Sequence, residues 1–240
     1  MPGTKLIVAL DTPDLKTAGS LLKKLRGLPL IYKVGSSLFT LAGPRAVDLV
    51  HKYGGRVFLD LKFHDIPNTV RNAVESAASL GVYSVSLHLS GGAEMLRAAA
   101  SLKKKPLLWG ITVLTSFDSA SFSRTGFKHG IERTIAGLAG LGAENGADGL
   151  VCSPHEAAAL KKRFGAGLKI ITPGIRPAKG ETLTLLPPRR EQKRGTEDQK
   201  RVMTPAQAAG AGADFIVVGR PVLQASDPAL AAQKILEEMR

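Results

Sequence analysis

The sequence predicts an α/β chain folded as a single-domain (β/α)8 barrel over residues 1–240. Three observations carry that expectation. Eight short runs rich in β-formers recur along the chain, and most are almost continuously apolar, as parallel strands covered on both faces must be. An amphipathic helical pattern follows each run. No G-x-G-x-x-G follows the first run, which weakens the dinucleotide-binding version of the open doubly wound sheet that remains the structural alternative.

The expected strands are 5–10, 30–34, 57–61, 84–89, 107–113, 149–152, 169–172 and 215–218. Leu15, Ala18, Leu22 and Leu25 mark the first helical face, with Asp14 as its N-cap. Pro44 suits a first helical turn, and Ala46, Leu49 and Val50 follow at helical spacing. Val70, Ala73, Val74 and Ala77 mark a third helix, closed by Gly81. Further helices are expected over 93–102, 131–141, 154–164, 205–211 and 228–239. One stretch breaks the rhythm. Residues 177–198 mix Pro, Gly and both charges with no sustained period, which reads as an inserted loop, either a functional lid or surface decoration.

Composition narrows the function classes. Hydrophobic residues make up 44% of the chain and charged residues 22%, ordinary for a globular protein. The single Cys152 excludes an intrachain disulfide framework and fits a reducing compartment. An acid interrupts the N-terminal apolar stretch before a signal peptide develops, and no run is long enough to span a bilayer. The chain is therefore expected to be full length and cytoplasmic, with no membrane partner. The net charge of +13 raises nucleic acid as a partner. However, the basic clusters are dispersed, and aromatics are 5% of the chain and not interleaved with them, so no nucleic-acid role is expected.

Charges gather where the strands are expected to end. The first strand ends at Asp11, the second carries Lys33, and the third runs into Asp60 and Lys62 with Asp65 just beyond. The fifth leads to Thr115 and Ser116. Barrel enzymes place their catalytic groups at this end. Period-two alternation puts Asp60 and Lys62 on one side of their strand, with Lys33 nearby. A rim ion-pair network is the structural reading, but such networks gain little stability over apolar packing, and several strand ends carry polar groups together.

The last two strand ends suggest phosphate. They offer Gly174 and Arg176 after the seventh strand, and Gly219 and Arg220 after the eighth. Glycine lets backbone N–H groups approach an anion, and arginine supplies forked donors. His64 and His88 match no strong metal-ligand spacing, and Lys62 can supply the positive charge a metal would bring, so no metal is expected. Cys152, with no evident activating partner, reads as a small buried residue.

These motifs are recognisable. DLKFHDIP at 60–67 resembles the signature of the orotidine 5′-phosphate decarboxylase family. LIVALD at 6–11, IYKVG at 31–35, TVLTS at 112–116, TPGIRP at 172–177, DQKRVMTP at 198–205 and VVGRP at 217–221 extend the resemblance over nearly the whole chain. The resemblance implies a TIM-barrel homodimer with shared active sites, converting orotidine 5′-phosphate to UMP and CO2 without a cofactor, the last step of de novo pyrimidine synthesis. It implies a charged array of Lys33, Asp60 and Lys62 with Asp65 from the partner subunit, and Lys62 as proton donor. By the same resemblance Asp11 and Lys33 face the ribose, and Thr69 reaches the ribose of the neighbouring site. Ser116 contacts the pyrimidine with Thr115 beside it. Arg176 lies near the phosphate, Gln199 bridges base and phosphate, and Gly219 and Arg220 hold the phosphate. The stretch between Arg176 and Gln199 is longer than the family pattern leads one to expect.

Two other readings stay open on the residues alone. A metal-dependent relative acting on sugar phosphates through an enediolate shares the Asp-x-Lys-x-x-Asp pattern, although Ile66-Pro67, Thr115-Ser116 and Gln199 favour the pyrimidine enzyme. A basic binding protein on a barrel scaffold would leave the charged array unexplained.

Overall fold

The computed structural model describes residues 3–177 and 202–240. Eight parallel strands close into a barrel in sequence order, with β8 paired back onto β1. They are β1 Lys5–Ala9, β2 Ile31–Gly35, β3 Arg56–Phe63, β4 Ser84–His88, β5 Leu107–Ile111, β6 Gly149–Val151, β7 Lys169–Thr172 and β8 Phe215–Val218. All eight expected strands are present, and the open-sheet alternative is excluded by closure.

The helices are α1 Leu15–Lys24, α2 Ser36–Ala42, α3 Arg45–Lys52, α4 Pro67–Ser79, α5 Gly92–Ala100, α6 Ser119–Phe122, α7 Ile131–Glu144, α8 Pro154–Phe164, α9 Pro205–Gly210, α10 Arg220–Leu223 and α11 Pro228–Glu238. Their starts follow local chemistry. Asp14 accepts from the Thr17 amide at 2.7 Å, and Thr204 and Gln207 form a reciprocal capping box. Gly81 has φ +69°, the left-handed conformation that ends α4 without steric cost. Three short helices, α2, α6 and α10, were not expected; they sit in the loops after β2, β5 and β8, too brief to show a period.

Alternation along the strands divides the core in two. Outward residues such as Leu6, Val8, Val34, Val57, Leu59, Val85 and Leu87 pack into one large cluster with the helices. Inward residues Ile7, Ile31, Phe58, Trp109, Ile171 and Phe215 form a second, inside the barrel. Its aromatics interlock: the rings of Phe58 and Trp109 lie 4.5 Å apart, and those of Trp109 and Phe215 5.0 Å apart. The barrel is thus a filled core rather than a pore. This plug seals the interior one layer below Asp60, and truncating Phe58 to alanine would cost about 3–5 kcal/mol.

Candidate active site

At the C-terminal ends of the first three strands, four charges alternate in a row. Lys33 Nζ lies 3.1 Å from Asp11 Oδ1 and 3.7 Å from Asp60 Oδ2, and Lys62 Nζ lies 2.8 Å from Asp60 Oδ2. The register explains the meeting. Lys33 pairs with Ala9 on β1 and Phe58 on β3, so its side chain shares the interior with both neighbours. Gly35 keeps room for it, since a Cβ there would come within 2.9 Å of Lys33 Nζ.

Asp60 and Lys62 do face the same space, as alternation predicts, but not by regular alternation. Between Leu59 and Phe63 the β3–β4 register shifts: four steps along β3 match two along β4. In this bulge Lys62 has φ +52°, the only positive-φ residue other than glycine among those described. Bulges of this kind re-aim side chains, and a left-handed lysine is unfavourable unless its surroundings hold it. Ser86 on β4 holds it. The Lys62 amide donates to Ser86 Oγ at 2.9 Å, and the same hydroxyl donates to Asp60 Oδ1 at 2.7 Å.

Asp60 is buried, at 7% exposure. Burial pushes its carboxyl up, but the Lys33 and Lys62 ammoniums and the hydrogen bonds from Lys62 and Ser86 outweigh that and hold it below the usual carboxylate value. Asp60 therefore stays ionised despite desolvation. His88, inward on β4, is held below the usual histidine value by burial first, then by His64 and Lys62, against the pull of Asp60.

These groups open into a cavity of about 800 Å³. Asp11, Lys33, Asp60 and Lys62 form one wall, and Ala9, Phe58, Ile111, Val151 and Val217 give an apolar floor. Thr115 and Ser116 line it after β5, Gly174 and Arg176 after β7, and Gly219 and Arg220 after β8. Gly174 has φ +80°, a conformation that requires glycine here. The Arg176 amide donates to the Met203 carbonyl at 3.0 Å and the Met203 amide to the Gly174 carbonyl at 3.3 Å. This clamp brings both flanks of segment 178–201 to the cavity rim.

Ten of the residues singled out from the sequence thus meet in one cavity. Asp65 and Thr69 do not line it: both are exposed, Asp65 in the turn before α4 and Thr69 in its first turn. Beside them Ile66 is 67% exposed. Gln199 and nearly all of the 177–198 stretch lie outside the described residues. The rings of His64 and His88 lie 5.3 Å apart, and no group of three or more potential metal ligands occurs among the described residues. Cys152 is buried. Sequence reading missed Ser86, although β4 carries Ser84, Ser86 and His88 at strict period two, a polar inward face in an otherwise apolar strand.

Fold and site define a (β/α)8-barrel enzyme whose polar cavity sits at the C-terminal ends of the strands. The chain belongs to the family described as Orotidine 5'-phosphate decarboxylase / HUMPS, which matches residues 4–235. It is 46% identical to the orotidine 5'-phosphate decarboxylase of Halorhodospira halophila, over 100% of this chain and 98% of that one. It is 47% identical to that of Nitratidesulfovibrio vulgaris strain DP4, over 98% and 97% of the two chains. Among solved structures, the orotidine 5'-phosphate decarboxylase of Lactobacillus acidophilus superposes with a TM-score of 0.82 at 32% identity, covering 99% of each chain.

Proposed function

We propose that the protein converts orotidine 5′-phosphate to UMP and CO2, the closing step of de novo pyrimidine synthesis, with its own side chains supplying the chemistry. The observation that carries this reading is the Lys62 ammonium, anchored 2.8 Å from a buried, ionised Asp60 at the cavity wall. The relatives' names support the same substrate.

Decarboxylation breaks the bond between pyrimidine C6 and its carboxylate. The electron pair stays on C6, in the ring plane, where no carbonyl delocalises it well. Lys62 stabilises that carbanion electrostatically and then donates a proton to it, becoming neutral until it regains one from water. Asp60 faces the departing carboxylate. At ~4 Å and an effective dielectric of ~20 their repulsion reaches at most about 4 kcal/mol. That is roughly three decades of rate, whereas enzymes often exceed ten. Stabilisation of the transition state by Lys62 must therefore contribute more than repulsion of the ground state.

The remaining roles are those the family resemblance implies, supported by the lining of the cavity. Asp11 and Lys33 take the ribose, Thr115 and Ser116 the pyrimidine, and Arg176, Gly219 and Arg220 the phosphate, with Gln199 bridging base and phosphate. Binding energy at the distant phosphate then organises the reacting end. The apolar floor suits the ring and raises the strength of the charges above it. We read the chain as a single domain, with 177–198 as an insertion in its sequence. Asp65 and Thr69 complete the site of a second copy in a homodimer, a reading supported by their exposure together with Ile66. No helix among the described residues is long and apolar enough to cross a membrane, and we assign the enzyme to the cytoplasm.

The test is the loss of orotidine 5′-phosphate absorbance with excess EDTA. Full turnover to UMP supports the proposal. Turnover only on adding Mg²⁺ would overturn the metal-free chemistry, and no turnover under either condition would overturn the substrate and shift support to the sugar-phosphate reading.

A further inference from the structure

Ser86 lies on β4, fully buried, and carries two different bonds. Its oxygen accepts from the backbone of Lys62, and its single proton goes to Asp60. A hydroxyl has one proton to give, so accepting from the amide leaves that proton committed to the carboxylate. The relay thus runs one way, from Lys62 N–H through Ser86 O–H to Asp60.

Both ends of the relay are otherwise disfavoured. Lys62 occupies a left-handed conformation in a stretch of β3 where the pairing with β4 slips. Asp60 is an ionised acid taken out of water. Ser84 provides an internal contrast. It is two residues earlier on the same inward face and equally buried, yet its hydroxyl has no hydrogen-bond partner among the described residues. A buried serine in this strand therefore does not by itself imply a network; Ser86 differs because of what it joins.

We propose that Ser86 is a positioning residue, whose hydroxyl ties the backbone of Lys62 to the carboxylate of Asp60 and so sets the placement of both charges against the substrate. The kinetic half of this inference rests on the decarboxylase reading, whereas the structural half does not. Losing the hydroxyl frees the bulge to relax and lets the Asp60 carboxyl turn. The ammonium is then displaced from the reacting carbon, while the ribose and phosphate contacts that dominate binding remain.

The experiment compares Ser86→Val with Ser86→Thr, which have nearly the same volume and differ by the hydroxyl. Ser86→Ala serves as a smaller hydroxyl-free variant if valine does not fold, and Ser84→Ala as the control. Ser86→Val should lose about ten- to a hundredfold in kcat, the worth of a hydrogen bond to a charged group, with KM changed less than about twofold. Ser86→Thr should recover most of that loss, and Ser84→Ala should match the wild type. In NMR spectra of Ser86→Val, the Lys62 amide should exchange faster and the Asp60 carboxyl should titrate at higher pH than in wild type. Equal kcat for the valine and threonine variants, or unchanged Lys62 exchange and Asp60 titration, would overturn the proposal. If the wild type forms no UMP, the decarboxylase reading falls, and the amide and carboxyl measurements still decide whether Ser86 sets the two charges.

Discussion

The ammonium of Lys62 meets the carboxylate of Asp60 at 2.8 Å, two residues back along the same strand, from a backbone with φ +52°. The contact that defines the candidate site is thus made by a residue in an unfavourable conformation. Such strain persists where the neighbouring structure fixes it, and here the fixing group is Ser86.

The first prediction separates stability from activity at that position. Glycine tolerates φ +52° and alanine does not, so Lys62→Gly should be more stable than Lys62→Ala by about 1 kcal/mol. Both should lack turnover. Denaturant midpoints read the first difference, and a Lys62→Ala protein as stable as Lys62→Gly would mean that the strain is not real in solution.

A second prediction concerns acid stability away from the site. Asp214 lies 2.6 Å from Lys161 Nζ and 3.4 Å from Lys169 Nζ, and accepts from the Ile170 amide at 2.9 Å. Burial pushes its carboxyl up, but Lys161, the Ile170 amide and Lys169 together hold it below the usual value. A depressed folded-state pKa stabilises the fold above the unfolded-state value of about 3.9, and that stabilisation is lost as pH falls through the folded value. Asp214→Asn should therefore lower stability at neutral pH by about 1–3 kcal/mol and lose less on acidification below pH ~4 than wild type does. Parallel pH–stability curves for the two proteins would contradict this.

The third prediction addresses the phosphate end. Arg220→Ala should lower kcat/KM for orotidine 5′-phosphate by about ten- to a hundredfold, as expected for a lost charge-assisted hydrogen bond. The unphosphorylated nucleoside should be affected far less. An equal loss for both substrates would remove Arg220 from phosphate binding.

The sequence exposed some of this more readily than the rest. The eight strands and their order were legible because each is an apolar run bounded by helical periodicity. The charged residues Asp11, Lys33, Asp60, Lys62, Arg176 and Arg220 were legible because charge at the end of a buried strand is costly, and Thr115, Ser116, Gly174 and Gly219 by their position just after the strands. Asp11, Lys33 and Asp60 follow from alternation alone. Lys62 does not: its placement depends on a slip in the β3–β4 pairing, which one strand's sequence cannot reveal. Ser86 was missed because serine in a strand is unremarkable until its partners are known. The short helices α2, α6 and α10 span 7, 4 and 4 residues, too few for a periodic signal.

A fourth prediction tests the shared site. Lys62→Ala and Asp65→Ala homodimers should each be nearly inactive. In a mixed two-fold dimer one site carries both defects and the other neither. With random exchange at equal amounts, about half of the dimers are mixed and about one quarter of all sites are intact. Activity should recover to about that fraction after dissociation and reassociation. No recovery, with exchange demonstrated, would assign Lys62 and Asp65 to one chain's own site.

The most direct measurement is the rate of UMP formation from saturating orotidine 5′-phosphate by wild type and by Lys62→Ala, with EDTA present and folding verified for both. If Lys62 stabilises and protonates the C6 carbanion, wild type turns over without metal and Lys62→Ala loses at least about a thousandfold in kcat. Turnover by Lys62→Ala within about tenfold of wild type would contradict the proposed chemistry, since so small a loss is less than general acid catalysis alone supplies.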